Sequence, residues 1–129
     1  MVYRCLNLDS LGGPLDEHQL SIHKTVARLG QQASYARVMS LLQSLQLNQS
    51  FAHVDALSNK AKHSAIVRPW ISQDQTGKRA DPLVFYFGEF ERKGTPYAQV
   101  TFKDVLAPAL DFAANTRIDI GIELTALLT

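Results

Sequence analysis

Residues 81–102, "DPLVFYFGEFERKGTPYAQVTF", limit the possible folds more than any other stretch of this chain. Six aromatic side chains fall within them, led by the strand-favouring run Val84, Phe85, Tyr86 and Phe87. Strand alternation puts Leu83, Phe85, Phe87, Glu89 and Glu91 on one face and Val84, Tyr86, Gly88, Phe90 and Arg92 on the other. Both faces are apolar near Leu83 and polar toward Arg92, as in a strand that starts inside a sheet and runs out into water. Lys93 and Gly94 then reverse the chain, and "TPYAQVTF" returns along it. With those two residues as the loop, Phe85 faces Phe102, Phe87 faces Val100 and Phe90 faces Tyr97. Each such cross-strand pair contributes roughly 0.2–1 kcal/mol.

The last thirteen residues, "RIDIGIELTALLT", carry the cleanest alternation in the sequence. Ile118, Ile120, Ile122 and Leu124 fall on one face and Arg117, Asp119, Gly121 and Glu123 on the other, the pattern of a strand buried on one side. An apolar tail is expected to be pinned into a sheet or against a second subunit, so self-association is assigned to this C-terminal strand. Ahead of it, "DVLAPALDFAAN" reads as a short helix with Pro108 in its first turn and Asn115 at its end.

The N-terminal half reads as helical. "VYRCLNL" is taken as a short strand, broken by Gly12, Gly13 and Pro14. Asp16 and Gln19 then form a capping-box pattern ahead of Ile22, Val26 and Leu29, with Gly30 as the stop. Ser34 caps a second helix striped by Tyr35, Val38, Leu41, Leu42 and Leu45. "SFAHVDALSNKAKH" fits helix or strand; the reading leans to strand, because Ser58 and Asn59 make a turn into the β-rich "SAIVRPWIS". Pro69 in that segment lacks a ladder donor and belongs on an edge or at a bulge. The class expected is α+β: an N-terminal helix pair packed on a mainly antiparallel sheet of four to five strands, with a short helix before the last strand, in one domain over residues 1–129.

Composition narrows the chemistry. Cys5 is the only cysteine, so no intramolecular disulfide and no multi-thiolate zinc site can be assembled from one chain. The N-terminal residues lack a signal-peptide pattern and no apolar run reaches membrane length, so the expected location is cytoplasmic, with no membrane partner. The net charge of +1 argues against a strongly polyanionic partner. Charge is nonetheless uneven: residues 18–80 hold eight Lys or Arg against two acids, and residues 104–129 hold four acids against Arg117.

No catalytic residue, metal ligand or cofactor is assigned. The sequence has no nucleophile elbow, phosphate-cradling glycine loop or HExxH pattern. The four histidines, His18, His23, His53 and His63, lack ligand spacing. Enzymatic activity is left open. The candidate ligand-binding residues are Arg68, Trp70, Tyr86, Glu89, Phe90 and Tyr97: an aromatic wall with an acid or a guanidinium as its polar group. The leading expectation is a small binding or interaction protein without strong catalytic signatures, acting as a homo-oligomer. A small-molecule binder or simple enzyme, its aromatic-walled pocket between helices and sheet, is the alternative. A weak nucleic-acid or anion binder using Lys60, Lys62, Arg68, Lys78 and Arg79 is a further one.

Overall fold

The computed structural model describes residues 2–63 and 66–129; Ser64 and Ala65, which begin the expected β-rich segment, lie outside the described residues. Helices α1 (Val2–Cys5), α2 (Ile22–Leu29), α3 (Ala36–Leu47) and α4 (Gln49–His63) come first. Strands β1 (Pro69–Gln73), β2 (Leu83–Phe87), β3 (Phe90–Arg92), β4 (Thr95–Tyr97) and β5 (Val100–Thr101) follow, and α5 (Phe102–Leu128) closes the chain. The mixed helix and sheet content is that of an α+β chain. The strands form two antiparallel sheets, ordered β1-β2-β5 and β3-β4, and not the single sheet expected. The chain divides into two compact units, residues 1–47 with 113–129, and residues 48–112.

In the first unit, α2 and α3 pack on each other. Ser21, not Asp16, caps α2: its hydroxyl accepts the Lys24 N–H at 3.2 Å, and residues 17–19 form a separate 3-10 turn. Leu29, Val38, Leu41 and Leu42 are buried with Val2, Tyr3, Leu6, Leu8, Ile120 and Leu124 as one core cluster. The expected N-terminal strand is the helical turn α1, because Val2, Tyr3 and Leu6 bury one side of a helix and leave Arg4 and Cys5 exposed.

The loop after α1 is folded around Arg28. Its side chain is 11% exposed, and its guanidinium donates to the carbonyls of Leu8 (2.9 Å), Gly12 (3.1 Å) and Gly13 (2.7 Å) and to the Tyr3 hydroxyl. Tyr3 in turn donates to the Asp9 carboxylate at 2.7 Å, and Arg4 lies 3.5 Å from the same carboxylate. Burial, and donation to Asp9, push the Tyr3 phenol above its ordinary pKa.

The second unit holds both sheets. β1 pairs with β2 from Pro69↔Phe87 to Gln73↔Leu83, and β2 pairs with β5 at Phe87↔Val100. β3 pairs with β4 at Phe90↔Tyr97 in the same register, so residues 83–101 are one hairpin interrupted at Gly88–Glu89 and Ala98–Gln99. Lys93 and Gly94 take φ of 51° and 78°, the left-handed pair that a two-residue loop demands. Phe102, placed opposite Phe85 by sequence, meets that ring at 5.9 Å but opens α5 in place of extending β5, and its ring stacks on Phe87 at 3.9 Å.

Two further expected strands are helical. Asn48 accounts for the first: its side-chain oxygen accepts the Phe51 N–H at 2.9 Å and starts α4, and Asn59 bonds back to the Asp55 carbonyl instead of turning the chain. The second is the C-terminal segment. The 27-residue α5 runs through Asn115 and carries Pro108 in its interior. Alternation at period two also repeats every fourth residue, which is one helical turn. Thr116, Ile120 and Leu124 therefore bury one stripe, while Ile118 and Ile122 are 57% and 62% exposed. No C-terminal strand exists to pair with a second subunit.

Two outcomes test this description. Arg28→Ala should lower unfolding free energy by about 3 kcal/mol in urea titration, since it strands several carbonyls and the Asp9 charge; Arg28→Lys should recover only a minor part of that loss. Gly121 has open space where a Cβ would sit. Gly121→Ala should therefore raise the urea midpoint, by roughly 1 kcal/mol in stability, as expected for a helix interior.

Candidate functional site

The three-stranded sheet carries a group of accessible apolar side chains on two adjacent strands, β1 and β2. Its register sends Trp70, Ser72, Val84, Tyr86 and Thr101 to one face. Trp70 and Tyr86, directly opposite each other, stack with centroids 4.2 Å apart and planes at 8°. Ile71, Leu83, Phe85 and Phe87 take the other face. Trp70, Ile71, Leu83 and Phe85 are 42–58% exposed, which is unusual for a sheet of three short strands. A groove of about 550 Å³ runs past Phe85 and Tyr86 between Arg79 and Lys103, each close to an acid. Lys103 pairs with Asp81 at 3.4 Å, while the Arg79 side chain donates to Ser72 and its backbone N–H donates to Asp74 at 2.7 Å.

The edge of this sheet is open. Antiparallel pairing alternates residues that bond the neighbouring strand with residues that bond outward. The Gly88 N–H donates to the Arg68 carbonyl at 3.1 Å and the Asp74 N–H to the Pro82 carbonyl at 2.8 Å. Residues 68, 70, 72 and 74 thus bond inward to β2, and Pro69, Ile71 and Gln73 direct their backbone groups away from it. Pro69 occupies an outward position, where the missing N–H deprives β2 of nothing. Among the described residues, no strand pairs with the outer side of β1.

The hairpin end is a second, smaller cluster. Phe90 and Tyr97 stack at 4.8 Å with planes at 5°. The His53 ring of α4 meets both edge-on, at 5.5 and 5.2 Å. Arg92 and Asp55 tie the same strand to the same helix at 3.1 Å. His53 Nε2 is buried with no hydrogen-bond partner, and burial lowers the imidazole pKa below its ordinary value. Glu89 is exposed and lines an open concavity of about 600 Å³ with Phe90, Pro96, Tyr97 and Ala98. Glu91 is also exposed.

The six candidate residues are distributed between these places. Trp70 and Tyr86 meet on the larger sheet; Phe90, Tyr97 and Glu89 meet at the hairpin. Arg68 is exposed beside the β1 edge and makes no ion pair among the described residues. Neither Arg68 nor Trp70 lines the concavity around Glu89. Lys60 and Lys62 lie on α4, and Lys78 and Arg79 in the loop after β1. His53, Ile71 and Phe85 were not among the candidates. The Asn48 cap, by making residues 49–63 helical, was the signal that could have brought His53 opposite the hairpin.

The His18 and His63 side chains lie outside the described residues; among those described, no group of three or more His, Cys, Asp or Glu side chains is placed to hold a metal ion. No helix among them is long and apolar enough to cross a membrane. Comparison with protein-family models, curated proteins and solved structures gives no match.

The His53 environment sets a pH dependence. Because folding depresses the imidazole pKa, the unfolded chain takes up the proton first. The stabilising contribution is complete above the unfolded value of 6.5 and is lost as pH falls below it toward the folded value. His53→Phe should flatten the fall in urea stability between about pH 7 and 5 relative to wild type. Parallel profiles would show that His53 is not the group responsible.

Proposed function

We propose that this chain is a non-catalytic interaction module that binds a protein segment in extended conformation along the β1 edge of its three-stranded sheet. The observation that carries this reading is an unpaired edge strand flanked by half-exposed Trp70, Ile71, Leu83 and Phe85. An incoming strand would gain backbone hydrogen bonds from Ile71 and Gln73, and its alternate side chains would rest beside Trp70 on one face or Ile71, backed by Phe85, on the other. The apolar side chains at the sheet offer contact area; the open backbone supplies direction and register. Catalysis is not part of the proposal, because the polar groups near these aromatics are ion-paired or solvent-exposed.

Selection of a displayed random-peptide library on the purified chain tests the reading. Enriched peptides should be rich in β-branched and aromatic residues, and their binding should fall at least about 10-fold on Ile71→Lys or Phe85→Asp. Binders indifferent to both substitutions, with the circular dichroism of the variants unchanged, would place the binding surface elsewhere.

A further inference from the structure

We infer that the extended segment is β1 of a second copy of this chain, joined antiparallel across a two-fold axis at Ile71 to form one continuous sheet. The inference rests on the binding edge proposed above and names its occupant.

The backbone supports it. In an antiparallel pair centred on Ile71, the two Ile71 residues exchange N–H and C=O bonds. Each Gln73 N–H then meets the Pro69 carbonyl of the second copy. Proline keeps its carbonyl, so the position that cannot donate is used only as an acceptor. Strand length agrees, because β1 ends two residues from Ile71 on either side, at Pro69 and Gln73.

Charge supports it independently. The same register places Arg68 opposite Asp74 of the second copy, and Asp74 opposite Arg68 of the second copy. Arg68 has no ion pair of its own among the described residues. Asp74 is held firmly ionised: hydrogen bonds from the Thr76 hydroxyl, then from the backbone N–H groups of Arg79 and Thr76, pull its pKa far below the ordinary carboxylate range. Those donors also fix the carboxylate at the end of β1. Centring the pair one residue earlier or later puts Arg68 opposite Ser72 or Thr76, so the ion pairs select one register of the three. Arg68 and Asp74 both belong to the face that carries Trp70, so each guanidinium and its carboxylate would lie on the same side of the joined sheet.

Edge contacts of this length are small among specific interfaces, so the dimer should be in the micromolar range. Sedimentation of the full chain from about 1 to 500 µM should show a monomer–dimer equilibrium. Ile71→Pro removes the central interchain donors and leaves the β1–β2 ladder intact; it should weaken the dimer about 30-fold. Arg68→Glu faces the Asp74 charge with its like and should weaken it about 10-fold, the loss shrinking in high salt. In a Cys5→Ser background, which removes the native thiol, Ile71→Cys should form a covalent dimer on mild oxidation, since paired Cα atoms about 5.5 Å apart suit a disulfide.

A chain that stays monomeric to 500 µM overturns the self-pairing, as does a dimer indifferent to Ile71→Pro. If monomeric wild type still binds selected peptides through an edge blocked by Ile71→Pro, the binding edge stands and only its occupant is wrong. If peptides and second copy both fail to bind there, both proposals fall.

Discussion

The fold of the second half turns on one pair of hydrogen bonds at Thr101. Its hydroxyl accepts the Asp104 N–H at 3.0 Å and donates to the Asp104 carboxylate at 2.6 Å. Thr101 is still paired to Tyr86 as the last residue of β5, and the next residue is the first of α5. One side chain therefore ends a sheet and starts a 27-residue helix. Phe102, immediately after the switch, stacks on Phe87 and holds the helix start against the strand it has just left. Without that cap, the return strand has no reason to stop at Thr101, and the helical phase that buries Thr116, Ile120 and Leu124 is not set.

Arg28 does comparable work in the first unit by other means. The segment between α1 and α2 contains two glycines, a proline and two short 3-10 turns, and the Leu8, Gly12 and Gly13 carbonyls turn toward Arg28. A single planar guanidinium collects several of them, together with Tyr3 and Asp9. Lysine is a poor substitute, because one ammonium cannot span the same fork. The charge is kept near the surface by the partly exposed Asp9, which avoids the desolvation penalty of a deep ion pair.

The hairpin was legible in the sequence because its evidence was local. Aromatic pairing, loop length and face alternation all named one register, and Phe87↔Val100 and Phe90↔Tyr97 follow it. The helix pair was legible from its stripes. Besides the N-terminal turn, the two longer segments read as strands failed for a shared reason. In "RIDIGIEL" and "FAHVDAL" the apolar residues satisfy period two and a four-residue repeat at once, and periodicity alone cannot choose. The deciding signals were helix starts: Asn48, just ahead of its segment, and Thr101, which opens the helix that continues through Asn115 into Arg117 and beyond. The candidate site was legible only in part: Trp70 with Tyr86 and Phe90 with Tyr97 are true neighbours, but the hairpin break at Gly88 parts them between two sheets. The edge position of β1 was signalled by Pro69, which lacks a ladder donor and lies on the first strand of the order β1-β2-β5.

The stacking of Trp70 on Tyr86 has an optical consequence. This is the chain's single indole, and it sits on the edge strand with less than half its surface in water. Light absorbed by the neighbouring phenol reaches it over 4.2 Å, and its emission colour depends on how many solvent dipoles surround it. The molecule thus carries an intrinsic fluorophore at the boundary between its sheet and its surroundings.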